Sequence, residues 1–196
     1  DYKLATSDTV VIDYLEGYLR EQIAPDYDHD PKEWWEVVDR TSNTVLPKED
    51  WSVDEETHLV TIKNTIPFHE YTVNFLSYMI WDPTQMYNHI TNDWGDKPKD
   101  IPFDVRGPNS NKFMRETMVD FMENNPKTDV VRFTTFYYHF TLFFNDKRKE
   151  KFVDWFGYGS SVSPEAILAF EAEYGYRLRP EDFIQNGYYN STFALP

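Results

Sequence analysis

Hydrophobic residues along the chain change their spacing twice, and the changes divide it into segments. Val11, Ile12, Leu15, Leu19 and Ile23 fall at helical spacing, so residues 10–23 are predicted as an amphipathic helix that stops before Pro25. Short alternating runs follow at Trp35–Asp39, Thr44–Leu46 and Leu59–Lys63, separated by Thr41-Ser42-Asn43 and Asp54-Glu55-Glu56. That pattern predicts an antiparallel meander. From Glu70 onward strand-like runs alternate with helical ones, the pattern of βα units around a parallel sheet. Tyr71–Trp81 reads as the first such strand, although its length also permits a helix. Asp82 and Pro83 supply an N-cap and first helical position, predicting a helix to about Asn92. A second helix is capped by Asn109 or Ser110, carries Met114, Met118, Phe121 and Met122 as core filler, and ends at Asn124-Asn125-Pro126. Downstream, Asp146 opens a basic amphipathic helix through Phe152, Val153, Trp155 and Phe156 to Gly157. Ser163-Pro164-Glu165 starts another that Gly175 stops, and a short helix spans Pro180–Asn186.

The stretch Asp129-Val130-Val131-Arg132-Phe133-Thr134-Thr135-Phe136 reads as a strand buried on both faces, with an arginine where an aliphatic residue belongs. A guanidinium there costs several kcal/mol unless it is paired and hydrogen-bonded. Phe133, Phe136, Tyr137, Tyr138, His139 and Phe140 surround it, and apolar ring faces with polar tips suit a sugar. An ordinary aromatic core strand whose arginine meets a nearby carboxylate accounts for the same residues. On the Pro83–Asn92 helix, Met86, Tyr87 and Ile90 form a packing face, while Gln85, Asn88 and Asn92 place carboxamides on another. Amides donate to and accept from hydroxyls, as a sugar ring requires; a wetted helix face is the alternative. His139, just past the end of the arginine strand, is the one histidine singled out as functional. Asp26-Tyr27-Asp28-His29-Asp30-Pro31 could surround a cation but reads better as a solvated turn.

Charge narrows the partners. The 196 residues carry a formal charge of −15, which disfavours nucleic acid and anionic membranes. With 40% hydrophobic and 18% aromatic residues the chain is globular. It contains no cysteine, so neither a disulfide framework nor a thiolate metal site is expected, and a cytoplasmic setting fits. No phosphate-cradling glycine loop, HExxH or GxSxG motif is present, and no metal site is expected.

Several stretches taken together resemble the β-1,3-galactosyl-N-acetylhexosamine phosphorylases, the lacto-N-biose and galacto-N-biose enzymes. They are Ile23-Ala24-Pro25-Asp26-Tyr27 with Asp30-Pro31-Lys32-Glu33-Trp34-Trp35, Ile66 to Val73, Trp81-Asp82-Pro83 running to Thr91-Asn92-Asp93-Trp94, and Asp129 to Phe136. The resemblance implies part of a (β/α)8 TIM-type barrel in an α/β protein. With the residue patterns it gives residues 1–69 as an N-terminal helix plus β-meander insertion and 70–196 as a partial barrel, truncated at both ends. It also implies inverting phosphorolysis to α-galactose 1-phosphate, with inorganic phosphate as co-substrate and no other cofactor. Asn92 and Arg132 resemble residues that hold the galactosyl unit; Asn88 and Asp93 are neighbours of that site, and Tyr138 and His139 are placed there by position. The family's general-acid aspartate sits in a Gly-Asp-x-Trp type segment absent here, since Gly95-Asp96-Lys97 lies in a charged loop; the acid is expected beyond Pro196.

One acid suffices for this chemistry. An inverting hydrolase needs a second carboxylate to activate water, whereas phosphate already carries the negative charge of a nucleophile. Arginine's fork suits a diol or a phosphate equally, so Arg132 alone does not choose between them. A galactosyl-rhamnose phosphorylase, a β-galactosidase-like hydrolase and a non-catalytic carbohydrate-binding module are the alternatives. The full-length protein is expected to be a homodimer that binds sugar and phosphate, not nucleic acid or membrane. A barrel needs about 250 residues, so this segment is expected to be inactive alone.

Overall fold

The computed structural model describes residues 2–18, 20–101, 107–131, 141–144, 150–154, 163–185 and 188–189. In chain order β1 is Lys3–Leu4, β2 Thr9–Asp13, β3 Ile23–Pro25, α1 Pro31–Trp34, β4 Glu36–Asp39 and β5 Thr44–Val45. Next come β6 Trp51–Asp54, β7 Leu59–Lys63, β8 Glu70–Asn74, β9 Ser77–Met79, α2 Pro83–Thr91 and α3 Pro108–Asn124. The rest are β10 Thr141–Phe144, β11 Glu150–Asp154, α4 Pro164–Tyr174, β12 Ile184–Gln185 and β13 Tyr188–Tyr189. Helix and sheet are thus mixed, and every strand pairing among the described residues is antiparallel.

Two sheets share one core. The order β1-β8-β4-β5 makes the first and β2-β7-β6 the second. Alternation sets the buried face: Val10 and Ile12 of β2 pair with Ile62 and Val60 of β7, and all four point inward. They meet Trp35, Val37, Trp51 and Tyr71 in a single cluster. Burying each such aliphatic side chain contributes ~1.5–3 kcal/mol, so this cluster is the main source of stability on the N-terminal side.

The predicted helix over 10–23 is overturned. Thr9 to Asp13 is a strand, residues 14–18 turn with Gly17 at φ 83°, and the chain re-extends in β3. A β-branched run with stiff χ1 angles suits a pleated surface, and β7 satisfies its backbone residue by residue. The meander is antiparallel as expected, but β4 and β5 belong to one sheet and β7 to the other, joined there by β6, which the sequence reading missed. Tyr71–Trp81 is two strands: β8 pairs with β4 and β1, while β9 pairs with β3. Strands buried on both faces look alike to a sequence whether their neighbours run parallel or not.

Four further expectations change. Residues 150–154 form β11 of a hairpin with β10, where a basic helix was predicted from Asp146. Pro180–Phe183 is one 3-10 turn leading into β12, shorter than the predicted helix over Pro180–Asn186. α3 ends where predicted but starts earlier, at Pro108 after Gly107 rather than after a cap at Asn109 or Ser110, and it buries none of its residues, so Met114, Met118 and Met122 are not core filler here. Val130 and Val131 lie outside any strand, with Val130 80% exposed, and the remainder of the predicted arginine strand falls outside the described residues. By contrast α2 and α4 sit where their caps placed them. Ser163 accepts from the Ala166 N–H, and Gly175 ends α4 at φ 81°, a left-handed conformation favouring glycine.

The C-terminal segment is strapped to the first sheet by ion pairs. Arg177 bonds Glu33 at 2.6 Å, Arg179 bonds Glu36 at 2.7 Å, and Glu181 receives Arg40 at 2.5 Å and 2.9 Å. Arg177 and Arg179 precede the 3-10 turn at Pro180–Phe183, and Glu181 within that turn supplies the third pair.

Candidate functional site

α2 carries the described candidates. Asp82 caps it by accepting the Gln85 N–H at 2.8 Å, and Met86 anchors its inner face with no exposed surface. Its carboxamides divide into two kinds. Gln85 Oε1 accepts from Trp81 Nε1 at 2.7 Å and from the Asp100 N–H at 2.8 Å, while Nε2 donates to the Pro98 carbonyl at 2.9 Å. Gln85 is therefore a stitch between the helix, the buried Trp81 and the returning loop. Asn92 donates its Nδ2 to the Asn88 carbonyl at 2.8 Å, and its main-chain N–H reaches the same oxygen at 3.0 Å. It thereby helps to close the helix C-terminus.

Asn88 is different. Its carboxamide is half-buried and has no hydrogen-bond partner among the described residues. An amide with no partner among the described residues can serve as a double-ended site for hydroxyls. Of the three amides that sequence spacing groups, this is the one with no hydrogen-bond partner among the described residues, and spacing alone cannot show which amides the fold engages.

Asp93 follows at φ 50° in an exposed turn completed by Gly95 at φ 69°. The turn returns Trp94, whose N–H bonds the His89 carbonyl at 3.1 Å. His89 sits edge-on between Trp81, at 5.2 Å between centroids, and Trp94, at 6.4 Å. Lys99 covers the Trp81 ring and Lys97 the Trp94 ring, each at 4.4 Å. The C-terminal end of α2 is thus held by rings on one flank. Arg132, Tyr138 and His139 lie outside the described residues.

Polar clusters elsewhere are internally satisfied. Asp26 is buried and accepts from the Asp28 and His29 main-chain N–H groups, with His29 Nδ1 2.9 Å away. Asp30 caps α1, so the acidic loop is a structured turn, and among the described residues no group of acids and histidines is arranged to hold a metal. Tyr14, Tyr27 and His58 meet through their polar tips, and burial pushes the Tyr14 hydroxyl pKa up, reinforced by the Tyr27 hydroxyl.

Asp39 yields a pH prediction. Burial raises its pKa, but His69 Nδ1 at 2.7 Å and the Thr41 and Ser42 N–H groups outweigh that and hold the carboxyl below its ordinary value. A group depressed in the folded state stabilises above its unfolded pKa of ~4 and loses that contribution as pH falls through the folded value. Asp39→Asn is therefore expected to lower the urea midpoint at pH 7 and to lessen its further decline from about pH 4 downward. Parallel acid limbs for the two proteins would contradict this.

All of residues 1–196 match the family described as lacto-N-biose phosphorylase N-terminal TIM barrel domain. The chain is 53% identical over 196 residues to a 1,3-beta-galactosyl-N-acetylhexosamine phosphorylase of Bifidobacterium longum subsp. longum, covering 100% of this chain and 26% of that protein. It is 50% identical over 185 residues, 94% of this chain and 26% of the other, to a protein of the same name from Lachnoclostridium phytofermentans. A D-galactosyl-beta-1->4-L-rhamnose phosphorylase of that bacterium is 38% identical over 191 residues, 96% of this chain and 26% of its own length. All three relatives are named as phosphorylases. The chain belongs to the lacto-N-biose phosphorylase family, within its N-terminal TIM barrel domain, and spans about a quarter of the length of the curated relatives it matches. The barrel itself is not formed among the described residues. No helix among them is long and apolar enough to cross a membrane.

Proposed function

We propose that the protein containing this chain is a hexosyltransferase-type phosphorylase acting on β-1,3-galactosyl-N-acetylhexosamine disaccharides. The observation that carries this reading is the 53% identity across all 196 residues to a relative of that activity by name, against 38% to the galactosyl-rhamnose enzyme. A phosphate oxygen attacks the anomeric carbon, the glycosidic C–O bond breaks, and the leaving oxygen takes a proton from the general acid. Inversion then gives α-galactose 1-phosphate. The acid is assigned to sequence beyond Pro196, and phosphate is the only further reactant.

Within this chain, Asn88 holds galactosyl hydroxyls through a carboxamide that has no hydrogen-bond partner among the described residues. Arg132, Tyr138 and His139 are assigned to the same sugar or its phosphate from their sequence positions; Asn92 and Asp93 shape the end of α2 that presents Asn88. The working protein is a homodimer in the cytoplasm with no nucleic-acid or membrane partner, and residues 1–196 alone are inactive.

The test is incubation of the full-length protein with lacto-N-biose in the presence and absence of phosphate. Galactose 1-phosphate should appear only with phosphate. Free galactose made without phosphate identifies a hydrolase, and turnover confined to β-1,4-galactosyl-rhamnose identifies the other phosphorylase.

A further inference from the structure

We propose that Tyr14, Tyr27 and His58 form an acid-opened clasp between the second sheet and the turn leading into α1. The three side chains come from separate stretches: Tyr14 follows β2, Tyr27 follows β3, and His58 closes the turn between β6 and β7. Their polar tips converge. His58 Nδ1 lies 3.0 Å from the Tyr27 hydroxyl and 3.3 Å from the Tyr14 hydroxyl, and the two hydroxyls bond each other. Tyr14 is 4% exposed and packs edge-on against Trp35 at 5.2 Å between centroids. None of the three tips has another hydrogen-bond partner among the described residues. Counting hydrogens then ties the cluster to the charge of the imidazole. Two hydroxyl hydrogens and a bare Nδ1 form a satisfied chain, in which Tyr14 donates to Tyr27 and Tyr27 donates to His58 across the shorter contact. Once His58 is protonated, Nδ1 becomes a donor and three hydrogens face two oxygens. One hydrogen is left without an acceptor in the cluster, and that favours an arrangement in which water enters.

The backbone holds the histidine in place while this happens. The His58 carbonyl accepts the Tyr14 N–H at 3.4 Å, and His58 stands at φ 60° after a turn in which Asp54 accepts the Glu56 and Thr57 N–H groups. Burial pushes the pKa of both tyrosine hydroxyls up, so neither sheds its hydrogen to relieve the surplus. Nearby carboxylates work the other way. Asp54 and Glu55 face the cluster from the β6–β7 turn and Asp13 from the end of β2, and each attracts a cationic His58. Asp54 and Glu55 are exposed and screened by water, and Asp13 is already bonded to the Leu15 N–H at 2.9 Å and to Arg20 at 3.4 Å. The hydrogen surplus inside the packed cluster therefore prevails. His29, two residues after Tyr27, faces Asp26 at 2.9 Å and resists opening when protonated, so the effect of His58 has to be read by its own substitution. The inference is independent of which sugar the protein cleaves.

The test is hydrogen exchange in the full-length protein, followed by mass spectrometry at about pH 7.5 and about pH 5.5 with intrinsic rates corrected. Peptides spanning residues 22–30 and 52–60 are expected to lose protection by about fivefold or more at the lower pH. His58→Asn offers an amide oxygen in place of Nδ1, suits the left-handed backbone and does not titrate, so its loss should be less than about twofold. The double variant Tyr14→Phe with Tyr27→Phe keeps both rings, removes both hydroxyl hydrogens and should also show less than about a twofold loss, which keeps the test decisive should His58→Asn fail to fold. Protection that holds or rises at the lower pH in the unaltered protein, or a fall of equal size in a folded variant, overturns the clasp.

Discussion

Asn88→Ala in the full-length protein is expected to lower kcat/KM for the disaccharide by about 10²-fold, while Asn92→Ala lowers it by less than about threefold. Losing two hydrogen bonds to a half-buried sugar leaves hydroxyls unpaired at 1–3 kcal/mol in all, and each 1.4 kcal/mol is a factor of ten. Asn92 commits one amide N–H to the Asn88 carbonyl, so its removal frays the last turn of α2 and costs about 0.5–1.5 kcal/mol of stability instead. Steady-state kinetics on the two variants, with thermal melts to confirm folding, distinguishes the roles. Equal activity losses, or a larger loss from Asn92→Ala, would remove Asn88 from the site without touching the phosphorylase assignment.

Glu181→Ala is expected to destabilise the protein by about 3 kcal/mol, the low end for breaking a buried pair because the carboxylate is a quarter exposed. Arg40 is the buried partner, its side chain 4% exposed against 25% for Glu181. The guanidinium also donates to Thr72 at 2.6 Å and Asn74 at 3.2 Å, and Asn74 returns a bond to Glu181 at 2.8 Å. Removing the carboxylate strands a desolvated cation in that network. The double variant Arg40→Met with Glu181→Leu should recover most of the loss, since an apolar pair of similar volume has no charge to desolvate. Urea denaturation of the single and double variants reads this directly. If the double variant is as unstable as Glu181→Ala, the strap is held by its shape and the ion pair is incidental.

How legible the site was varies by residue. The helix bearing it was plain, because Asp82, Pro83 and Asn92 are local signals acting within a turn of where they stand. The amide face was plain too, but not its division, since the partners of Gln85 come from Trp81, Pro98 and Asp100, on a loop that folds back. Arg40 shows the same limit more sharply. Its partner stands 141 residues downstream, and no spacing rule connects positions that far apart. The anomalous cation that sequence reading followed was Arg132, while the buried cation whose partner the structure displays is Arg40.

By itself the sequence determined what depends on neighbours along the chain: the ends of α2 and α4, the antiparallel character of the meander, and a family resemblance spread over nearly every segment. Tertiary structure decided that residues 9–13 extend, because β7 supplies a hydrogen-bonding edge that a solitary amphipathic helix lacks. It decided that Tyr71 to Trp81 divides between two sheets, and that one carboxamide of three has no partner among the described residues. The reason is common to all three. A backbone or side-chain polar group takes whatever partner folding brings within about 3 Å, and the partner's identity is a property of the packed chain.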